Sequence, residues 1–165
     1  MTRVPVVDEA DEIIGFKERV DVGAADIDRV SALWVTNAKG EVLLAQRAAT
    51  KAKDPCMWGP AVAGTVEEGE TYIENIVKEA GEELGITITA ADLVWGPKIR
   101  VRDDVRNYFG QYFLCTIDRN ASDFQLQKEE VERVEWREPQ ELKADIEAHP
   151  EKFTPGSTHW IEHFL

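Results

Sequence analysis

The chain is predicted to be an α/β protein, with short strands, one central amphipathic helix, further strands and terminal helices. Three observations carry this. Runs that read as strands recur at 4–7, 13–16, 30–36, 41–46, 93–102 and 108–117, with polar turns between them. Within 64–86, Ile73, Ile76, Val77, Ala80 and Leu84 recur at spacings of three and four, which is the apolar stripe of a helix. Late in the chain, Pro139 stands where a helix through about His149 would begin, and the tail from Ser157 reads as a last short helix. At 165 residues the expectation is one compact domain over 1–165, with an N-terminal hairpin and crossover at 1–28 and C-terminal helices at 139–165.

In order, VPVV and IIGF flank the acidic turn DEADE as a hairpin. VSALWVT and EVLLAQ form a second hairpin around Asn37–Gly40. The strands of that second hairpin are apolar at nearly every position, as in strands covered on both faces. A loop with Arg47, Lys51 and Lys53 follows. Arg47 reads equally as phosphate-facing or as solvated, and the two lysines read better as solvated. Trp58 is assigned to the core. On the strand LVWGPKIRVR, the alternation of Lys98, Arg100 and Arg102 puts three cations on one face, better read as solvated than as a phosphate site.

The chain carries 32 acidic and 19 basic residues, net −13, which argues against nonspecific nucleic-acid or membrane binding. The N-terminus lacks a basic-then-apolar leader pattern, and no apolar run approaches the ~18 residues of a membrane span. Cys56 and Cys115 match no metal or redox spacing, so a reducing cytoplasm is expected. His159 and His163 are four apart but have no third ligand, and no nucleophile context supports a triad.

The functional signal is GTVEEGETYIENIVKEAGEELGI. Gly64 and Gly69 bracket a tight turn, Glu70 sits at its exit, and Gly85 caps the helix. At ~100° per residue, Glu79, Glu82 and Glu83 share one flank of that helix. Like charges so placed repel. A hard divalent cation would relieve them, and a solvated acidic face is the alternative.

This stretch resembles the signature of the Nudix hydrolases, G-x5-E-x7-R-E-U-x-E-E-x-G-U, where U is a bulky aliphatic. Its positions are filled by Gly64, Glu70, Lys78, Glu79, Ala80, Glu82, Glu83, Gly85 and Ile86. Lys78 replaces the motif Arg, and Ala80 is small for its position. The resemblance implies an α/β/α sandwich with a mixed sheet. It implies Mg²⁺ (or Mn²⁺) held by Glu79, Glu82, Glu83 and the Gly64 carbonyl, with Glu70 and Lys78 in support. Glu79 or a later carboxylate, of which Glu130 matches best ahead of Glu129 and Glu132, would serve as general base. Arg47 is the candidate substrate contact. The implied reaction is hydrolysis of a nucleoside diphosphate linked to a moiety X, a small-molecule substrate, with a weakened nucleotide-binding module as the alternative. The run VVDEADEIIG also resembles the opening hairpin of the isopentenyl-diphosphate isomerase branch. That branch's Cys and His around the first Gly are Ala63 and Thr65 here, and all three His lie beyond residue 148.

Overall fold

The structure, a computed structural model, describes residues 1–165. In chain order its elements are β1 (Arg3–Val7), β2 (Ile13–Glu18), β3 (Asp28–Thr36), β4 (Val42–Arg47), β5 (Trp58–Pro60), β6 (Val62–Thr65), α1 (Tyr72–Leu84), β7 (Val94–Arg102), β8 (Asn107–Thr116), β9 (Val131–Arg137), α2 (Pro139–Ala148) and α3 (Thr158–His163). β1 and β2 form a separate antiparallel ribbon, and the other seven strands form one mixed sheet. No helix is long and apolar enough to cross a membrane.

β3 is the spine of the sheet. It runs parallel to β8 from Asp28↔Tyr108 to Thr36↔Thr116, and β8 runs antiparallel to β7. The hairpin of β3 and β4 exists, but only Thr36 and Val42 pair across it. Beyond that point the strands diverge, and the kinked run of β5 and β6 fills the space. β5 pairs with β4, and β6 pairs with β3 from Val30↔Thr65 to Leu33↔Val62. This run is short and rich in Gly and Pro, so it has no period-2 signature and was not predicted as strand. β9 closes the far edge against β4.

Alternation along the central strands makes the layers. Leu33, Val35, Leu43 and Ala45 pack with Ile76, Ala80 and Leu84 of α1. Ala32, Trp34, Val42 and Leu44 pack with Leu142 and Ile146 of α2 and Trp160 of α3. Both faces of β3 and β4 are thus covered, which explains their continuous apolar sequences. The result is the expected α/β/α sandwich. Trp58 is in the second of these cores.

The strand cations differ from expectation. Lys98 donates to Asp11 at 2.5 Å, and Arg100 donates to Glu9 at 2.8 Å. Both are committed to the acidic turn of the first ribbon rather than left to solvent, and only Arg102 stays unpaired on the surface. A strand pattern shows that the three share a face, but it cannot show that a turn some 90 residues away covers two of them.

Candidate active site

The loop between β6 and α1 is built to bring one carboxylate onto a strand. A Cβ on Gly64 would lie 2.5 Å from Cγ and 2.9 Å from Oε1 of Glu79. The missing side chain is therefore the space Glu79 occupies. Gly69 turns the chain at φ 87°, and Thr71 opens α1 with a capping box in which its hydroxyl accepts from the Glu74 N–H at 3.2 Å while Glu74 accepts from the Thr71 N–H. Gly85 ends the helix at φ 65°.

Glu70 locks the loop from inside. It accepts from the Glu67 N–H at 3.0 Å and from the Asn75 amide at 2.9 Å, and pairs with Lys78 Nζ at 2.6 Å. Burial pushes its carboxyl up, but Lys78, the Glu67 N–H and Asn75 outweigh that and hold it below the usual carboxylate range. Asn75 is fully buried, also donates to the Thr65 carbonyl, and takes the Ser31 hydroxyl. Neither Asn75 nor Ser31 was singled out from sequence. The available signal was a polar residue four positions before Glu79 on the buried side of the helix. Lys78 also reaches Glu67 at 3.3 Å and Glu79 at 3.8 Å, so it chiefly steadies the loop.

The three helical glutamates are placed differently. Glu83 is buried, Glu79 has a side chain only 16% exposed, and Glu82 is exposed. Glu82 borders an open groove with Val77, Gly81, Ile86 and Ile88 on the outer side of the helix. No hydrogen bond to the side chain of Glu79 or Glu83 is made, and Glu83 has no ion pair within 4 Å. Burial pushes the Glu83 carboxyl up to about 8, with Glu79 and Glu130 adding to the effect and Lys51 and Arg47 offsetting part of it. Burial raises Glu79 as well.

Those influences on Glu83 identify the rim. Glu130, just before β9, pairs with Lys51 Nζ at 2.5 Å, and its carbonyl accepts from the Ala48 N–H at 3.0 Å. Lys51, which sequence favoured as solvated, is therefore at the site. Arg47 ends β4 and donates through Nε to the Lys53 carbonyl at 3.0 Å. Glu129 and Glu132 are exposed. The segment before Glu130 is tied to the end of α1, where Gln125 and Gln127 N–H groups donate to the Leu84 and Glu83 carbonyls at 3.2 and 3.0 Å.

A divalent cation fits this donor set, though not as a closed cage. No three Asp, Glu, His or Cys side chains converge on one point. What is present is two nearly buried carboxylates without donors, beside a strand whose glycine leaves room for one of them. Mg²⁺ suits such a half-shell, because it keeps waters and takes substrate phosphates rather than demanding all-protein ligation.

The chain matches the model of the NUDIX domain over residues 26–163. Isopentenyl-diphosphate Delta-isomerase of Escherichia coli O17:K52:H18 (strain UMN026 / ExPEC) is 31% identical over 124 residues, which are 74% of this chain and 68% of that protein. Among solved structures, DR0079 from Deinococcus radiodurans is 25% identical with TM-score 0.80 and covers 97% of each chain. The C. elegans Ap4A hydrolase, in a binary complex, is similar in fold, at 24% identity and TM-score 0.55 over 73% of this chain and 85% of that one. With the match running from just before β3 to the end of α3, the chain belongs to the Nudix family and is an enzyme of its pyrophosphohydrolase type.

Proposed function

We propose that this enzyme uses Mg²⁺ or Mn²⁺ to hydrolyse a nucleoside diphosphate linked to a second moiety X, with water attacking phosphorus of the diphosphate bridge. The observation that carries the reading is the pair Glu79 and Glu83, four apart on one helix, Glu83 buried and the Glu79 side chain 16% exposed, with neither accepting a hydrogen bond, whereas the equally buried Asp11 is fully paired. Glu79, Glu83 and the Gly64 carbonyl would hold the cation, with Glu82 reaching in from the outer flank. When bound, the cation supplies charge neutralisation at the phosphates and a more acidic water. Glu70 and Lys78 keep the loop in shape, so that Glu79 stays against Gly64. Glu130 or Glu79 accepts the proton of the attacking water. Both are carboxylates at the site, and Glu130 becomes available when Lys51 turns to a substrate phosphate. Arg47 adjoins Lys51 as a second cation for the anionic substrate. The substrate is a small molecule, and neither nucleic acid nor a membrane is a partner of a surface at net −13.

The test is turnover of a panel of nucleoside diphosphates and triphosphates, dinucleoside polyphosphates and nucleotide sugars, with and without Mg²⁺ or Mn²⁺. Metal-dependent release of a nucleotide from one class is expected. Absence of turnover across the panel and pH range overturns the proposal. A second reading, a nucleotide-binding module with a weakened site, draws on Lys78 in place of the motif Arg, because a point charge orients carboxylates less firmly than a guanidinium fork. Calorimetry separates the two: nucleotide binding without hydrolysis favours the module. Isomerase chemistry is disfavoured by Ala63 and Thr65 beside Gly64 and by the location of His149, His159 and His163 at the C-terminal helices.

A further inference from the structure

We propose that Asp11 is a positioning residue for the signature loop and helix, acting from the β1–β2 ribbon, which lies outside the residues matched to the family. The inference builds on the function proposed above for what the loop does, but its structural basis is separate. Apart from the bridge Val7↔Ile27, the ribbon shares no strand pairing with the main sheet. Two of its anchors lie on either side of the turn that leads into α1. At one, the Arg3 carbonyl accepts from the Glu68 N–H at 2.8 Å while its guanidinium holds the Glu68 carboxylate at 2.9 and 3.1 Å. At the other, Asp11 accepts from the hydroxyl of Tyr72 at 3.0 Å, and Tyr72 is the first residue of α1.

Asp11 is itself held fast. Arg29 Nε donates to it at 2.7 Å and Lys98 Nζ at 2.5 Å, and both cations lie 5.2 Å from the Tyr72 ring centroid. Its φ of 62° belongs to the tight turn that Asp8 closes, where the Asp11 N–H donates to the Asp8 carbonyl at 3.0 Å. A charge-assisted pin of this kind is stiff. The segment it pins with Arg3 is the one that must keep Glu79 against Gly64, where there is no room to spare. The ribbon therefore acts as an outer support of the catalytic loop, as outer-shell groups orient metal ligands elsewhere.

Two substitutions in the full chain test this. Asp11→Asn keeps size and tolerates the backbone, and Tyr72→Phe removes only the hydroxyl. Hydrogen exchange over residues 66–72, measured far below the unfolding transition and without metal, is expected to quicken about tenfold in both. With Mn²⁺, the apparent metal affinity should fall about 10–100-fold while the nucleotide KM moves less. The double variant should be no worse than Asp11→Asn alone, because both act through one contact. Glu9→Gln breaks the adjacent pair with Arg100 and should leave exchange in the loop as in the wild type. Unchanged exchange in both variants, or additive effects of the two substitutions, overturns the proposal. A wild type that neither binds Mn²⁺ nor turns over any nucleotide sinks the hydrolase reading instead, and the exchange rates still decide the role of Asp11.

Discussion

Glu83 and Asp11 are equally hidden, each 9% exposed, yet the protein treats their charges in opposite ways. Around Asp11 the chain supplies two cations and a phenol. Burial pushes its carboxyl up, but hydrogen bonds from Lys98, Arg29 and Tyr72 outweigh that and hold it low. Around Glu83 the chain supplies no donor, two more carboxylates and, for counter-charge, only Lys51 and Arg47 beyond ion-pair distance, so burial prevails and the group rises to about 8. One acid is a structural pin and the other is an unmet demand for positive charge. Burial alone does not distinguish a functional carboxylate from a structural one. What distinguishes them is whether the chain provides the counter-charge.

The comparison can be broken most sharply at Glu83. Glu83→Gln should lower turnover about 10²–10³-fold, the scale for losing one preorganised electrostatic group. It should also stabilise the metal-free protein at neutral pH, by about 1 kcal/mol, since the unfolded carboxylate no longer has to take up a proton to be buried. Steady-state kinetics beside thermal unfolding in a chelator check both signs, and a stability loss would contradict the contrast with Asp11. Next in size is Gly64→Ala. The added Cβ meets the Glu79 side chain, which can swing away, so the fold should survive while turnover and metal affinity fall about 10–100-fold.

On the other side, Asp11→Asn should cost about 2 kcal/mol at neutral pH, the range for hydrogen bonds to a charged group. The folded pKa of Asp11 is lowered, so its stabilising contribution is present above the unfolded value and is lost as pH falls through the folded one. The difference between wild type and variant should therefore narrow in acid, and chemical denaturation at pH 7 and pH 3 measures it. The smallest effect is expected from Lys78→Arg. A guanidinium could bridge Glu70 and Glu79, where Lys78 Nζ is now at 2.6 and 3.8 Å, and activity should rise a few-fold.

The helix, its C-cap Gly85, the two-sided strands and the loop glycines were legible in the sequence, because each follows from short-range spacing or from a backbone requirement, whereas the Thr71–Glu74 capping box was not singled out. Pro139 and Ser157 likewise marked the starts of α2 and α3 within a residue. The run Trp58–Thr65 was not legible, since its strand character comes from filling the gap between β3 and β4. Nor were the partners of Asp11, Lys51 and Lys98. Those contacts join residues 18 to 87 positions apart, and charge patterning along one element says nothing about what folds over it. The same limit applies at α1, where the spacing put three glutamates on one flank but did not show that the sheet covers one of them and leaves another in water.

The tie between the end of α1 and residues 125–127 divides the stretch before β9 into two kinds of chain. From Gln125 onward, any insertion would have to break a helix cap before it could move Glu130. Upstream, Arg119–Ser122 is held by other contacts, the Trp136 indole N–H donating to the Arg119 carbonyl at 2.9 Å and Ala121 packing on the core, and none of these runs through Glu130. That segment follows Thr116, which pairs with Thr36 at the end of β3 away from Gly64, so changes there would alter a surface remote from the glutamates.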